Sequence, residues 1–349
     1  MAAAAACPAA SAEEADELQR LGERLRSELA AIFDRNEVEP LERPPAWAVE
    51  VDREPPVLTF VQLADAHWGA RYTGELDAAV DFIEGSLRPD LVVLTGDNIA
   101  RPSHFGRQLE LRALLERRLR RPFLAVEGDN DTRGFARAFG PTDWSAAFAG
   151  LHLVGLGLDC DSEGDGIGTL NEDTFLWLRS RLAAHAGQSA LIFIHEPVFP
   201  PSFASAPSLL VFLGGYPEVA AVISGHVHRD LSFATPGLTH VIAPALGPSP
   251  RHGLKEYRVF ADRIVVRTYE RPDGGDGYRF ASKWQRIRLR FPAGPRPAGA
   301  FALEEFAPRD GHETYLSPEW ARTREQLFDV ARFLFRHLGR ARDRHLRRP

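Results

Sequence analysis

Six short runs between Val57 and Ile223 are apolar almost throughout: Val57–Ala64, Leu91–Thr95, Phe123–Val126, Leu151–Leu158, Ala190–Ile194 and Val219–Ile223. A strand with one wet face alternates apolar and polar residues, whereas a strand covered on both faces does not. Between the runs lie Glu75–Ile83, Phe105–Leu119 and Asn171–Ala184, whose patterning is helical. Alternation of covered strands with helices builds an α/β fold. Three later stretches, His240–Ala245, Glu256–Tyr269 and Tyr278–Phe291, carry more strand than helix character and can form a second sheet.

This central part, residues 55–291, is flanked by two extensions. In residues 1–54, Ser11 and Glu14 have capping-box spacing. Leu18, Leu21, Leu25, Leu29 and Ile32 then mark one face of a helix ending near Arg35. A linker carrying Pro40, Pro44, Pro45, Pro55 and Pro56 comes next. Residues 292–349 open on a Pro- and Gly-rich stretch and close on a basic amphipathic helix. Ser317 caps that helix and Pro318 suits its first turn. Leu327, Val330, Leu334, Phe335 and Leu338 form its apolar face, with Arg332, Arg336 and Arg340 around it. Such a helix packs on its own domain, joins two copies, or makes a peripheral contact with an anionic membrane.

The net charge of −6 favours neither nucleic acid nor an anionic membrane, both of which attract basic surfaces. Cys7 and Cys160 are the only cysteines. They form no disulfide framework, which fits a reducing compartment. The first ten residues lack the basic start and apolar centre of a secretory signal, and no apolar run is long enough for a transmembrane segment. A cytoplasmic location is expected.

The residues at the strand exits are more specific. The runs deliver Asp65-Ala-His67, Gly96-Asp97-Asn98, Gly128-Asp129-Asn130-Asp131, His195 and Gly225-His226-Val227-His228. Sites in open α/β sheets form at the carboxyl ends of strands, so these groups are expected to converge. Imidazole together with carboxylate suits borderline and hard divalent ions. Asp65 with His67, and His226 with His228, place two ligands at i and i+2, from which they can grip one ion. Alone, a Gly-Asp after a strand is a turn and a strand-end His is a packed residue. Together and in order, they make a metal centre the better reading.

The ordered set resembles the calcineurin-like metallophosphoesterase family, whose pattern is D-x-H, G-D, G-N-H-D or E, H, then G-H-x-H. The resemblance covers roughly Val57 to Tyr269. The stretches "LWLRSRL", "ALIFIHEP" and "SGHVHRD" are similar to the class III cyclic-nucleotide phosphodiesterase branch. The purple acid phosphatase branch fits less well, because the tyrosine that ligates iron there has no counterpart in Gly96-Asp97-Asn98-Ile99-Ala100. The resemblance implies a four-layer αββα fold, a two-sheet sandwich flanked by helices. It implies Asp65, His67 and His228 as ligands of one metal, and Asp129, His195 and His226 as ligands of a second. Asp97 bridges the two. The cofactors it implies are two divalent metal ions (Mn, Fe or Zn), and the substrate a small phosphomonoester or phosphodiester attacked by a metal-bound hydroxide. A pyrophosphatase acting on a nucleotide-linked lipid, or a weakly active metal-binding scaffold, are the alternatives.

The third motif departs from the pattern. Asp129 stands where the family has a neutral Asn, giving three carboxylates instead of two. That weakens attraction for an anionic phosphate, or favours a ferric ion in one position. Asn130 replaces the His that contacts phosphate and protonates the leaving group; an amide donates a hydrogen bond but does not titrate. Asp131, His104 or His252 can substitute as the acid. Asp97, Asn130, Asp131 and His226 are thus the candidate catalytic set. Arg101 and Arg133 either hold phosphate oxygens or are surface residues. Trp68 either stacks on a nucleobase or packs on the domain. Glu196 can accept a hydrogen bond behind the ligands, and Phe199–Pro207 can shape the substrate mouth or merely connect.

Overall fold

All six apolar runs are strands in the computed structural model, which describes residues 20, 27, 30–49, 54–69, 72–101, 106–131, 134–158, 169–198, 205–235, 238–294 and 302–307. They are β1 (Leu58–Leu63), β2 (Leu91–Thr95), β3 (Phe123–Val126), β5 (Leu151–Leu156), β6 (Ser189–Ile194) and β7 (Val219–Ser224). The helices between the strands include α1 (Thr73–Phe82), α2 (Gly106–Arg118), α3 (Phe135–Phe139), α4 (Glu172–Ala184) and α5 (Ala206–Gly214). The start of α4 is specified locally: the Asn171 side chain accepts from the Asp173 N–H, and Glu172 and Asp173 face the positive end of the helix. Part of the loop expected over Phe199–Pro207 is the beginning of α5, while residues 199–204 lie outside the described residues.

The remaining strands are β4 (Asp143–Phe148), β8 (Leu231–Thr235), β9 (Leu238–Ile242), β10 (Arg251–Val259), β11 (Arg263–Pro272), β12 (Arg279–Arg288) and β13 (Ala302–Phe306). One sheet has the order β12-β11-β10-β1-β2-β3 and the other β13-β4-β5-β6-β7-β9-β8. Both are mixed, with β1-β2-β3 parallel in the first and β5-β6-β7-β9 parallel in the second. The late strands therefore do not make a sheet of their own, contrary to expectation. β10 pairs antiparallel with the free edge of β1, β11 and β12 continue from it, and β9 joins β7. An unpaired strand edge is a template for pairing, and the hairpin strands satisfy it.

Strand parity makes four layers. Leu58, Phe60, Leu91 and Val93 from one sheet meet Leu151, Leu153, Leu191, Phe193, Ala221 and Ile223 from the other. Val61, Leu63, Val92 and Leu94 point the other way, onto Leu76 and Val80 of α1 and Leu111 and Leu115 of α2. Val154, Ile192, Ile194 and Val222 pack on Leu178 and Leu182 of α4 and Leu209 and Leu213 of α5. This is the expected αββα sandwich, and its covered faces explain the unbroken apolar runs.

The chain divides into a unit of Glu37–Ser317, described above, and a second unit of residues 1–36 with 318–349. Of the second, residues 30–36 are helical, one residue past the expected end. The basic helix from Ser317 onward lies outside the described residues. Among the described residues no helix is long and apolar enough to cross a membrane.

Candidate metal centre

The parity that builds the core also assembles the site. Positions 91, 93 and 95 on β2 and 191, 193 and 195 across β6 and its exit all face between the sheets. Thr95 and His195 therefore meet: His195 Nδ1 lies 2.8 Å from the Thr95 carbonyl. Gln62 staples the sheets just behind, donating to Thr95 Oγ1 and to the Ser224 carbonyl, both at 2.9 Å, and accepting from the Tyr257 hydroxyl at 2.6 Å. The exit loops are sewn together by backbone bonds from Asp65 N–H to Gly96 O (3.1 Å), His67 N–H to Asp97 O (2.9 Å) and Gly225 N–H to His195 O (2.9 Å). The His226 N–H donates to the Asp65 carboxylate at 3.0 Å, which ties the fifth loop to the first.

All five strand ends converge. Asp65, His67, Asp97 and His228 form one group and Asp129, His195 and His226 another, with one ligand atom of each lying within 4.8 Å of the others in its group. In the first group His67 Nε2 is 3.4 Å from His228 Nε2, and His228 Nε2 is 3.2 Å from Asp65 Oδ1. In the second, His195 Nε2 is 3.1 Å from Asp129 Oδ1 and His226 Nδ1 is 3.3 Å from His195 Nε2. Asp97 reaches both, with Oδ2 3.3 Å from His67 Nε2 and Oδ1 3.4 Å from His195 Nε2.

Holding these groups strains the backbone. Among the described residues eight non-glycines have positive φ, and five of them are Asp65, His67, Asp97, His226 and His228. Left-handed non-glycine residues cost about 1–3 kcal/mol each and persist where surrounding structure dictates them, typically at functional sites. Gly96 is required by crowding as well as by its φ of +86°: a Cβ there would lie 2.4 Å from His195 Nδ1.

The electrostatics favour a cation among these groups. A carbonyl only accepts, so His195 Nδ1 carries the proton shared with Thr95. Its Nε2 lone pair then faces two carboxylates unless a cation intervenes. Burial pushes the His195 pKa down, but Asp97 and Asp129 outweigh it and hold it well above the usual range. Burial and Asp129 together push Asp97 well up. Burial works to raise Asp129, yet hydrogen bonds from His195 and His226 bring it well below the ordinary value. His67, lowered to about 4 by burial and then by His228, is neutral and ready to ligate. The raised His195 and Asp97 values both mark a place where positive charge is favoured. Its donors, imidazole and carboxylate around a bridging carboxylate, fit two metal ions.

A family model described as calcineurin-like phosphoesterase matches residues 58–230. Over that stretch the chain is a calcineurin-like phosphoesterase domain. A probable glycerophosphodiester phosphodiesterase of Arcobacter nitrofigilis is 30% identical over 161 residues, which are 41% of this chain and 58% of that one. A probable cyclic nucleotide phosphodiesterase of Rhodococcus erythropolis is 25% identical over 214 residues, or 53% of this chain and 69% of that one. The expected phosphodiesterase branch is borne out by these relatives, although the chain spans little over half the length of the first. A dimetal phosphatase from Danio rerio shares the fold with a TM-score of 0.53 and 17% identity, covering 67% of this chain and 99% of that one. A purple acid phosphatase from yellow lupin does so with a TM-score of 0.51 and 12% identity, over 67% and 54%.

Within this member of the calcineurin-like phosphoesterases, the other candidate residues separate. Asn130 stands beside the centre, bonded to Asp97. Asp131 does not act there: it is fully buried and accepts from the N–H groups of Asn98 (3.1 Å), Ile99 (3.1 Å) and Gly128 (3.0 Å), from Asn98 Nδ2 (2.6 Å) and from Gln108 Nε2 (2.8 Å). It clamps the loops of Asp97 and Asp129 to each other. His252 is also buried, with its Nδ1 bonded to the Leu246 and Gly247 carbonyls at 2.8 and 3.1 Å, and belongs to a separate cluster. Trp68 is buried against Ile99 and its neighbours, which leaves the packing role and not the base-stacking one. Glu196 is buried beside His226, whose pKa it helps to raise. Arg101 is exposed; Arg133 and His104 lie outside the described residues. Sequence reasoning missed the supports: Gln62, Gln108 and the clamping role of Asp131.

Proposed function

We propose that this chain hydrolyses a phosphodiester at a centre of two metal ions. Asp65, His67 and His228 hold one ion, Asp129, His195 and His226 hold the other, and Asp97 joins both. The observation that carries this reading is the position of Asp97, whose two carboxylate oxygens face one group each. When bound, the two ions supply a water acidic enough to attack phosphorus and offset charge on the phosphoryl oxygens. Manganese, iron or zinc suit these donors, and the third carboxylate, Asp129, favours a ferric ion at the second position.

The chain's own residues supply orientation. The Thr95 carbonyl fixes the His195 ring, the His226 N–H fixes Asp65, and Asn130 fixes Asp97. Three carboxylates also bear on substrate charge. A monoester brings two negative charges and a diester one, so the added carboxylate disfavours the monoester more. The names of the two relatives agree with that preference.

The test is hydrolysis of bis-p-nitrophenyl phosphate and p-nitrophenyl phosphate by metal-stripped protein, with manganese, zinc, iron or magnesium restored, beside an Asp97→Asn variant. Metal-dependent turnover of the diester, lost in the variant, is expected. Bound metal with no turnover of either ester would make the chain a scaffold. Activity confined to a nucleotide-linked pyrophosphate would move it to the anhydride reading. Failure to bind metal at all would end the proposal.

A further inference from the structure

His195 shows how a ligand is prepared: one ring nitrogen donates to a backbone carbonyl and the other points at carboxylates. The same device recurs away from the centre. His252, at the start of β10, is buried with 1% side-chain exposure. Its Nδ1 lies 2.8 Å from the Leu246 carbonyl and 3.1 Å from that of Gly247, so Nδ1 carries the proton. Its Nε2 is buried with no hydrogen-bond partner. That lone pair faces Glu75 Oε2 at 3.4 Å and Asp273 Oδ1 at 3.7 Å.

We propose that Glu75, His252 and Asp273 form a further binding site for one zinc ion, separate from the phosphoesterase centre. Zinc–ligand lengths of about 2.0–2.2 Å and tetrahedral angles put donor atoms about 3.4 Å apart. The two separations from Nε2 match that edge, and the three ligand atoms all lie within 4.8 Å of one another. One imidazole with two carboxylates is a borderline-to-hard donor set, and the fourth position is left to water. Arg271 bonds to the same Glu75 Oε2 and orients that carboxylate, as outer partners of metal ligands do. Asp273, on the turn after β11 with 80% side-chain exposure, gives the ion its way in. A zinc there ties together the first turn of α1, the start of β10 and the turn after β11. That turn-to-helix link lies behind the loop that carries Asp65 and His67, since the Gly247 N–H bonds to the Asp65 carbonyl at 2.9 Å.

The competing reading is that His252 and the two carboxylates hold no metal. Full-length protein is stripped of metal, equilibrated with zinc and desalted, and its zinc is counted by mass spectrometry. Asp273→Asn, an exposed substitution outside the two ligand groups of the phosphoesterase centre, is expected to lose about one zinc per chain, while phosphodiester turnover at saturating metal stays unchanged. Glu75→Gln is expected to do the same. In parallel, saturating zinc should raise the Tm of the wild-type protein more than that of Asp273→Asn. Equal zinc content in wild type and both variants, or an equal rise in Tm, would overturn the site. Because the comparison reads a difference of one ion, it stands whether or not the main centre turns over esters.

Discussion

Asn130 bonds to both oxygens of Asp97: its backbone N–H reaches Oδ1 at 2.9 Å and its side-chain amide reaches Oδ2 at 2.6 Å. The family pattern that the sequence resembles has a histidine at this place. Here the side chain serves the carboxylate that joins the two ligand groups. On the proposed function, the exchange ties down Asp97 and leaves no titratable side chain at this position.

Putting the histidine back tests this. Asn130→His keeps the backbone bond to Asp97 and restores an imidazole beside the phosphate. Turnover of a diester with an aliphatic alcohol as leaving group should rise, by about a hundredfold if the acid is fully effective. Turnover of bis-p-nitrophenyl phosphate, whose leaving group departs without a proton, should change little. Equal changes on both esters would show that leaving-group protonation is not what Asn130 forfeits.

Asp131 is a clamp and not an acid. Asp131→Asn keeps the size but turns an N–H₂ group toward N–H donors from Asn98, Ile99, Gly128 and Gln108. At least one buried donor then goes unpaired, and each costs about 1–3 kcal/mol. Urea unfolding should report a loss of that order. The pH profile of turnover should keep its shape while kcat falls, because the clamp positions Asp97 and Asp129. Loss of a limb of the profile at unchanged stability would reinstate Asp131 as the acid.

How far this was legible in the sequence depends on the range of the interaction. The doubly covered strands announce themselves, because an apolar run reflects only what lies immediately above and below it. The candidate ligands do too, since Asp65 and His67, or His226 and His228, are neighbours along the chain. Which sheet a strand joins is a long-range fact, and nothing in the sequences of β9 and β10 tells that one pairs with β7 and the other with β1. The edge strand Ala302–Phe306, inside a stretch that reads as linker, has its partner more than 150 residues away in β4. Asp129 and Asp131 are two residues apart, and only the fold turns one to the centre and buries the other. Glu75, His252 and Asp273 come from three distant segments and share no local pattern.

One buried network is marked in the sequence by its lysines. The chain has 42 basic residues, of which Lys255 and Lys283 are the only lysines. Both surround Asp230, two residues after His228. Lys255 Nζ lies 2.5 Å from Asp230 Oδ1, Thr268 donates to Oδ2 at 2.8 Å, and Lys283 Nζ stands 3.7 Å from Oδ2. A compact ammonium fits where a planar guanidinium would not. Lys255→Met leaves Asp230 buried with its nearest cation gone and should cost about 3 kcal/mol in urea unfolding. Lys255→Arg should also destabilise, by steric misfit. A loss under about 1 kcal/mol for both would mean that Lys283 and Thr268 suffice.

Histidines set the pH range of the fold, in opposite directions. His152, bonded to Ser145, and His240, bonded to Thr235, are buried, and burial lowers their pKa values to about 3 and about 4. In the unfolded chain both titrate near 6.5. As the pH falls below about 6.5 the unfolded state takes up their protons and the folded state does not, so stability drops down to about pH 4, by about 1.4 kcal/mol per pH unit per histidine. His67, at about 4 in the metal-free protein, adds to that slope. His195 and His226 work the other way: burial lowers their pKa values, but Asp97 and Asp129 at His195, and Asp129 and Glu196 at His226, leave both raised. Their protons stabilise the metal-free fold fully below about pH 6.5, and that stability is lost as the pH rises through the raised values. The Tm of metal-stripped protein should therefore fall on both sides of a maximum, whereas saturating metal should abolish the alkaline decline by replacing those protons. His240→Gln keeps a partner for Thr235 and should flatten the acid limb by about one proton. An acid limb unchanged in His240→Gln, or an alkaline decline that persists with metal bound, would show that other groups govern the pH response.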